Sequence, residues 1–183
     1  MNTALIVIDV QESFRHSPYW SERELPAFMS RTNALIEGCV SGKVPIVRIL
    51  HVDGDKAFSL AAGHVRPLEG LAAFTAAAEF HKNRHSALVG TGLMVWLHKQ
   101  RINRLIVAGI RTEQCCETTT RHASDEGFEV DYVAEATLTF DMKHLDGSQL
   151  LSSDIVARTT AVLSGRFATI CSVEQALERA QSR

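Results

Sequence analysis

The sequence predicts a three-layer α/β/α fold, in which helices cover both faces of a mostly parallel sheet. Three observations support this prediction. Apolar segments rich in Ile and Val recur along the 183 residues, helical periodicity fills the intervals between them, and turn residues separate the two patterns. Parallel strands need crossover connections, which are usually helical and right-handed. Regular alternation of strands and helices therefore favours this arrangement.

In the first half of the chain, segments 3–10 and 44–52 are almost continuously apolar, as expected of strands buried on both faces. Residues 22–40 carry apolar side chains at three- and four-residue steps, which predicts a helix with Pro26 in its first turn. Residues 53–69 are polar and contain glycine. We expect the longest loop there, and substrate contacts within it.

The second half continues the alternation. The periodicity predicts strands within 80–88 and over 104–110, 128–134 and 167–171, and helices over 93–99, 113–125, 149–163 and 173–180. We find no internal repeat and no linker, and 183 residues is an ordinary length for one domain. A single domain spanning 1–183 is therefore expected.

Composition narrows the classes of function. Hydrophobic residues make up 45% and charged residues 22%, so we expect the chain to fold. With a net charge of −2, it does not have the basic surplus that is typical of proteins that bind nucleic acid or anionic lipid. The first residues read as a strand rather than a signal, and no apolar run could span a bilayer. Four cysteines without CxxC spacing fit a reducing, cytoplasmic compartment. No glycine-rich phosphate loop occurs, so we expect no nucleotide cofactor.

Asp9 is the first candidate for chemistry. It directly follows five apolar residues of a predicted buried strand, and ligands bind at the carboxyl ends of parallel strands. A buried carboxylate needs a partner or a catalytic role to offset its desolvation. An Asp that caps the following turn is equally compatible with this position.

Cys115 is the second candidate, because a buried strand passes within about three residues into the predicted helix that carries it. If Thr112 is the N-cap, Cys115 lies at N3, where free N–H groups and the helix dipole favour a thiolate. Backbone N–H groups of Arg111 and Cys115 could then hold an oxyanion. The alternative is a buried thiol that only packs, which we assign to Cys116 and, in the core, to Cys39 and Cys171.

Other polar residues carry weaker signals. Lys82 lies in a charged stretch that composition alone assigns to a solvated loop. A metal site is weakly arguable from residues that follow the second strand, although scattered surface residues explain them better. These residues are His51, Asp53, Asp55 and His64.

Three separated motifs resemble those of the isochorismatase-like cysteine hydrolase family. Residues 4–14, ALIVIDVQESF, resemble an apolar strand followed by D-x-Q-x-x-F. Residues 82–93, KNRHSALVGTGL, resemble K-x-x-x-S-A-F-x-x-T-x-L with Leu88 in place of Phe. Residues 109–123, GIRTEQCCETTTRHA, resemble G-x-x-T-x-x-C-V-x-x-T-x-x-x-A with Cys116 in place of valine.

The resemblance implies a catalytic triad of Asp9, Lys82 and Cys115 on a six-stranded, Rossmann-like sheet. It further implies a cis peptide bond between Ile110 and Arg111 and assembly into homodimers or homotetramers. Nicotinamidase-like members carry a D-x-H metal site after the second strand, but Ile49 stands here in place of that Asp. We therefore expect no metal and no organic cofactor.

The resulting hypothesis is an amidohydrolase that cleaves a C–N bond of a small molecule. Asp9 would take the proton of Cys115, the thiolate would attack the carbonyl with Lys82 holding the charges, and water would hydrolyse the thioester with Asp9 as the base. Family members that cleave a vinyl ether typically lack the cysteine. Vinyl ether hydrolysis, metal-dependent nicotinamidase-like hydrolysis and a non-catalytic binding role remain the alternatives.

Overall fold

The computed structural model describes residues 2–54 and 56–182. In chain order its strands are β1 (Thr3–Ile8), β2 (Ile46–His51), β3 (Ala78–Lys82), β4 (Arg104–Ile110), β5 (Glu129–Leu138), β6 (Met142–Lys143), β7 (Gln149–Leu150) and β8 (Thr169–Ile170). Its α-helices are α1 (Leu25–Ser41), α2 (Leu93–Lys99), α3 (Glu117–Asp125), α4 (Ser152–Leu163) and α5 (Val173–Gln181). A π-helical turn, Thr112–Cys116, precedes α3, and short 3₁₀ helices occupy Glu12–His16, Lys56–Phe58 and Leu60–Ala62.

Six strands form one parallel sheet in the order β3-β2-β1-β4-β5-β8. The two central strands, β1 and β4, are buried at every residue, which explains their continuous apolar sequences. Side chains that alternate along β1 enter two separate cores. Leu5 and Val7 pack with α1 and α5 on one face, while Ala4 and Ile6 pack with α2 and α3 on the other. The predicted three-layer α/β/α class is confirmed.

The observed bounds of the helices and strands agree best with the predicted ones where the apolar periodicity is long and uninterrupted. The predicted bounds of α2 and β4 are those observed, and β1, α1 and α5 differ by a few residues at an end. Strand β5 continues to Leu138, four residues beyond its predicted end, after a register shift between Val107 and Gly109 in its pairing with β4. The sheet is therefore irregular beside the turn that carries Cys115.

The prediction of a helix from residue 149 is wrong at its start. A hairpin of β6 and β7 occupies that region, and α4 begins only at Ser152. The Asp141 carboxylate determines this, because it accepts hydrogen bonds from Gln149 Nε2 at 3.0 Å and from the Ser152 backbone N–H at 2.8 Å. Periodicity could not detect these bonds, which join residues outside the helix to its first turn.

Among the described residues, no helix combines the length and the apolar character that a membrane span requires.

Gly109 lies where the backbone of β1 closely approaches β4. Its φ of +138° is one that residues with a side chain rarely adopt, and a Cβ there would overlap the Ile8 backbone. Gly109 pairs with Ile8, directly before Asp9. The absence of a side chain at Gly109 thus lets the two site-bearing strand ends lie side by side.

We expect Gly109→Ala to prevent stable folding or to lower the free energy of unfolding by more than about 3 kcal/mol, since backbone atoms would have to move. Gly127→Ala is the matched control. It also has a positive φ, +87°, but no atom lies within 4 Å of the added Cβ, so only about 1 kcal/mol of strain is expected. Urea denaturation of both variants measures the difference, and equal losses would contradict the close approach.

Candidate active site

The site lies at the carboxyl edge of the sheet, where four neighbouring strands end. Asp9 follows β1, His51 is the last residue of β2, and Lys82 is the last residue of β3. Cys115 lies in the π-helical turn that follows β4. Polar groups distant in sequence therefore meet because parallel strands end at one edge.

Asp9 and Lys82 form a fully buried ion pair. Lys82 Nζ lies 2.6 Å from Asp9 Oδ2, and neither side chain is exposed to solvent. The backbone of Asp9 has a φ of +53°, a left-handed conformation that Asp tolerates better than most residues. Its N–H still donates to Ile49 O at 2.9 Å. The turn-capping alternative is therefore not needed to explain this carboxylate.

The Lys82 ammonium also contacts three further acceptors. His51 Nδ1, Arg84 O and Cys115 Sγ lie 2.9 Å, 3.1 Å and 3.2 Å from its Nζ, so that with Asp9 four acceptors surround its three N–H groups. Burial alone would lower the pKa of Lys82, but the negative charge of Asp9, together with the contact to the Cys115 sulfur, outweighs burial and raises it. The ammonium is therefore a fixed cation between the carboxylate and the sulfur.

Burial raises the pKa of the Asp9 carboxyl, against the opposing charge of Lys82. A carboxylate of raised pKa is a stronger base than one in water. An Asp9 carboxylate oxygen also lies within 4.8 Å of Cys115 Sγ. Asp9 is accordingly suited to accept a proton from the thiol.

The local environment of Cys115 differs from the sequence prediction. Thr112 is not the N-cap, since its hydroxyl donates to Thr137 Oγ1 at 2.8 Å, and the extended residue before the helix is Arg111. The turn is π-helical, with the Cys116 N–H donating to Arg111 O at 3.2 Å. The peptide bond between Ile110 and Arg111 is cis.

Burial of Cys115 opposes the thiolate that the sequence analysis expected at this turn. Burial, reinforced by the negative charge of Asp9, raises the pKa of the Cys115 thiol from 9.0 to about 12, although Lys82 opposes the shift. The free site therefore holds a protonated sulfur. The proposed oxyanion role of the Arg111 and Cys115 backbone N–H groups stays a prediction.

Two site residues were not singled out by the sequence analysis. Gln11 holds the end of β2, because its Nε2 donates to His51 O at 3.0 Å and its Oε1 accepts from the His51 N–H at 2.7 Å. His85 Nδ1 lies 3.8 Å from Cys115 Sγ. Gln11 belongs to the D-x-Q motif, which could have indicated it, whereas His85 falls at a variable position of its motif.

His51 serves the site as a neutral hydrogen-bond acceptor. Burial, together with the nearby charge of Lys82, lowers the pKa of His51 from 6.5 to about 4. Because an ammonium only donates, His51 Nδ1 must carry the lone pair in this contact. The ring is thereby fixed as its Nε2–H tautomer.

The possible metal ligands that the structure brings together differ from those that the sequence suggested. Within residues 2–54 and 56–182, the one group of three ligating side chains is Asp9, His51 and Cys115, whose ligand atoms all lie within 4.8 Å of one another. Neither Asp53 nor His64 belongs to it, and Asp55 lies outside the described residues. The centre of this group is occupied by the Lys82 ammonium, which contacts all three side chains.

Similarity to known proteins identifies the family of this chain. The family model described as Isochorismatase domain matches residues 3–175. The chain belongs to the isochorismatase family. Members of this family are hydrolases. An uncharacterized isochorismatase family protein of Bacillus subtilis, YrdC, is 26% identical over 181 residues, covering 94% of this chain and 92% of the relative.

Solved isochorismatase-family structures share the fold. A cysteine hydrolase from Pseudomonas syringae superposes with a TM-score of 0.89 at 18% identity, covering 98% of this chain and 92% of that one. An isochorismatase from Pseudomonas putida gives a TM-score of 0.82 at 22% identity, covering 94% and 89%. Nicotinamidase 3 of Arabidopsis thaliana is 43% identical over 60 residues, which is 33% of this chain and 30% of that protein.

Removing the Lys82 ammonium should turn its three neighbours into a metal site. We expect Lys82→Ala to retain about one Zn²⁺ per chain after dialysis, because a carboxylate, an imidazole and a thiolate form a three-ligand zinc set. Elemental analysis measures the metal, and Zn²⁺ should also raise the melting temperature of this variant. The double variant Lys82→Ala/His51→Ala is the control and should lose the metal. Equal zinc contents in the single variant and the wild type would contradict this geometry.

The lowered pKa of His51 predicts a pH dependence of stability. Between pH 6.5 and about 4 the unfolded chain binds a proton at His51 that the folded chain does not, so stability should fall as pH falls through this interval. His51→Gln keeps an acceptor for Lys82 but cannot titrate, so its melting temperature should fall less across the same range. His98→Gln, on the outside of α2, should follow the wild type. Parallel curves for all three proteins would refute the assignment.

Proposed function

We propose that this protein is a cysteine hydrolase that cleaves an amide-type C–N bond of a small molecule through a thioester on Cys115. The observation that carries the proposal is the Lys82 ammonium, which contacts the Asp9 carboxylate at 2.6 Å and the Cys115 sulfur at 3.2 Å. One cation thus joins a buried base to a buried nucleophile.

The reaction would begin with transfer of the thiol proton. Burial raises the pKa of both the thiol and the carboxyl, so Asp9 is a better proton acceptor than an exposed carboxylate would be. As the proton leaves, Lys82 loses attraction to Asp9 and gains attraction to the sulfur, which offsets the cost of moving the negative charge. The thiolate then attacks the substrate carbonyl, and the C–N bond breaks to leave a thioester.

Space for a small substrate lies beside Lys82, the one residue of the three that lines a cavity at this edge of the sheet. A cavity of about 610 Å³ extends from the end of β3 to the loop after β2, a volume typical of small-molecule sites. Its walls include charges of both signs, from Asp53 and Arg84. Leu60 and the backbone of Gly54 and Gly90 contribute further surface. A small polar substrate with an amide group suits such a lining.

Two features favour C–N cleavage over the alternatives. A vinyl ether hydrolase does not need the thiol that this site buries beside a base. A nicotinamidase-like metal site would need a D-x-H motif after β2, where this chain has Ile49 in place of the Asp and where His51 Nδ1 accepts from Lys82. The similarity of a 60-residue segment to Nicotinamidase 3 supports the amide class without identifying the substrate.

Replacement of the nucleophile tests the proposal. Against a panel of small primary amides and carboxylic esters, we expect Cys115→Ala to lose at least ~10³-fold in turnover, because no neighbouring group can form the thioester. Cys116→Ala is the matched control, since Cys116 is a fully buried neighbour that packs in the core, and it should stay within a few-fold of the wild type.

Intact-protein mass spectrometry after rapid acid quenching should detect an acyl group, and peptide mapping should locate it on Cys115. Asp9→Asn should slow the appearance of this acyl group more than its hydrolysis. Full turnover by Cys115→Ala, or an acyl group on another residue, would overturn the proposal.

A further inference from the structure

We propose that His85 carries the proton for the substrate side of the reaction, so that Asp9 serves only the sulfur. In this division of roles, His85 protonates the leaving nitrogen during acylation and then takes a proton from the attacking water. The inference rests on the proposed C–N hydrolysis at Cys115. It differs from the sequence-based hypothesis, in which Asp9 also activates the water.

The position of His85 relative to the sulfur is the first support. Its Nδ1 lies 3.8 Å from Cys115 Sγ, within reach of a hydrogen bond to sulfur. Among the described residues, this sulfur is the only hydrogen-bond partner of the ring. In the tetrahedral intermediate the leaving nitrogen is two bonds from Sγ. An imidazole that reaches the sulfur therefore also reaches that nitrogen.

Asp9 and His85, the two proposed proton carriers, differ in their exposure to solvent. Asp9 and Lys82 are fully buried beneath the sulfur, whereas His85 is exposed. Substrate and water can approach Cys115 only from the exposed side. A group that exchanges protons with them must lie on that side, where His85 lies.

The buried groups are already committed to one another. The Lys82 ammonium contacts Asp9, the sulfur, His51 Nδ1 and Arg84 O, which leaves it no free proton for a leaving nitrogen. His51 uses its Nδ1 lone pair to accept from Lys82. Among the groups that contact the sulfur or its ion pair, the imidazole of His85 is the one free to transfer a proton.

The protons balance over one catalytic cycle. In acylation, Asp9 takes the thiol proton, the S–C bond forms, and protonated His85 gives a proton to nitrogen as the C–N bond breaks. In deacylation, neutral His85 takes a proton from water as its oxygen bonds to the carbonyl carbon. The C–S bond then breaks, and Asp9 returns its proton to the sulfur. The sum is amide plus water to carboxylic acid plus amine, with every group restored.

Two substrates that share the same acyl group but differ in their leaving group test this role. We would compare the p-nitroanilide and the p-nitrophenyl ester of the acyl group that acylates Cys115 best. His85→Asn keeps an N–H donor but cannot transfer a proton. We expect it to lose about 10²-fold in acylation by the anilide, whose nitrogen needs a proton, and less than about threefold in the ester burst. Its acyl-enzyme should then accumulate, because hydrolysis lacks a base.

His98→Asn is the matched control, since His98 lies on α2 near the opposite edge of the sheet and packs against Phe128. Alkylation of Cys115 by iodoacetamide, which needs no proton on the leaving group, should change less than threefold in His85→Asn. Equal losses with anilide and ester, or a parallel loss of alkylation, would overturn the role of His85 and leave it supporting the thiol. The proposed function is tested separately by Cys115→Ala, which should lose turnover of both substrates.

Discussion

The site depends on the buried ion pair between Asp9 and Lys82. Neither charge could remain in the interior alone, because burial without a partner costs several kcal/mol. Together they lie 2.6 Å apart, with the ammonium also contacting Cys115 and His51. The strand ends must therefore keep their relative positions for the pair to survive. The glycine at 109, the left-handed backbone of Asp9 and the Gln11 contacts to β2 all serve that positioning.

In the proposed reaction, the same pair would let the site bury a thiol and still use it as a nucleophile. A cysteine in an apolar pocket keeps its proton, and Cys115 does so with a pKa of about 12. In the proposed reaction, the base and the cation take effect when a substrate carbonyl is present, because its oxygen takes up the negative charge as the sulfur bonds to its carbon. Under this proposal, the nucleophilicity of Cys115 is a property of the complex with substrate rather than of the free site.

Much of the fold could be predicted from sequence because it depends on periodicity. Strand β4 and helix α2 have uninterrupted patterns and were predicted with their observed bounds. The β6–β7 hairpin was not, since Asp141 organises it through bonds to residues 8 and 11 positions away. In the site, family motifs predicted Asp9, Lys82 and Cys115, which the structure brings together. Periodicity carries no information on the thiol's pKa or on His85, because both depend on packing between segments 30 residues apart in sequence.

A protonated resting sulfur also bears on chemical durability. Oxidants such as peroxide attack the thiolate form of cysteine, and the first oxidation product opens the way to irreversible acids. Because burial raises the pKa of its thiol and little of its surface is exposed, Cys115 is shielded from such attack. Cys39 and Cys171 are also buried, and burial raises the pKa of their thiols to about 12 and about 11. Burial thus limits the oxidative damage that this site can suffer when no substrate is bound.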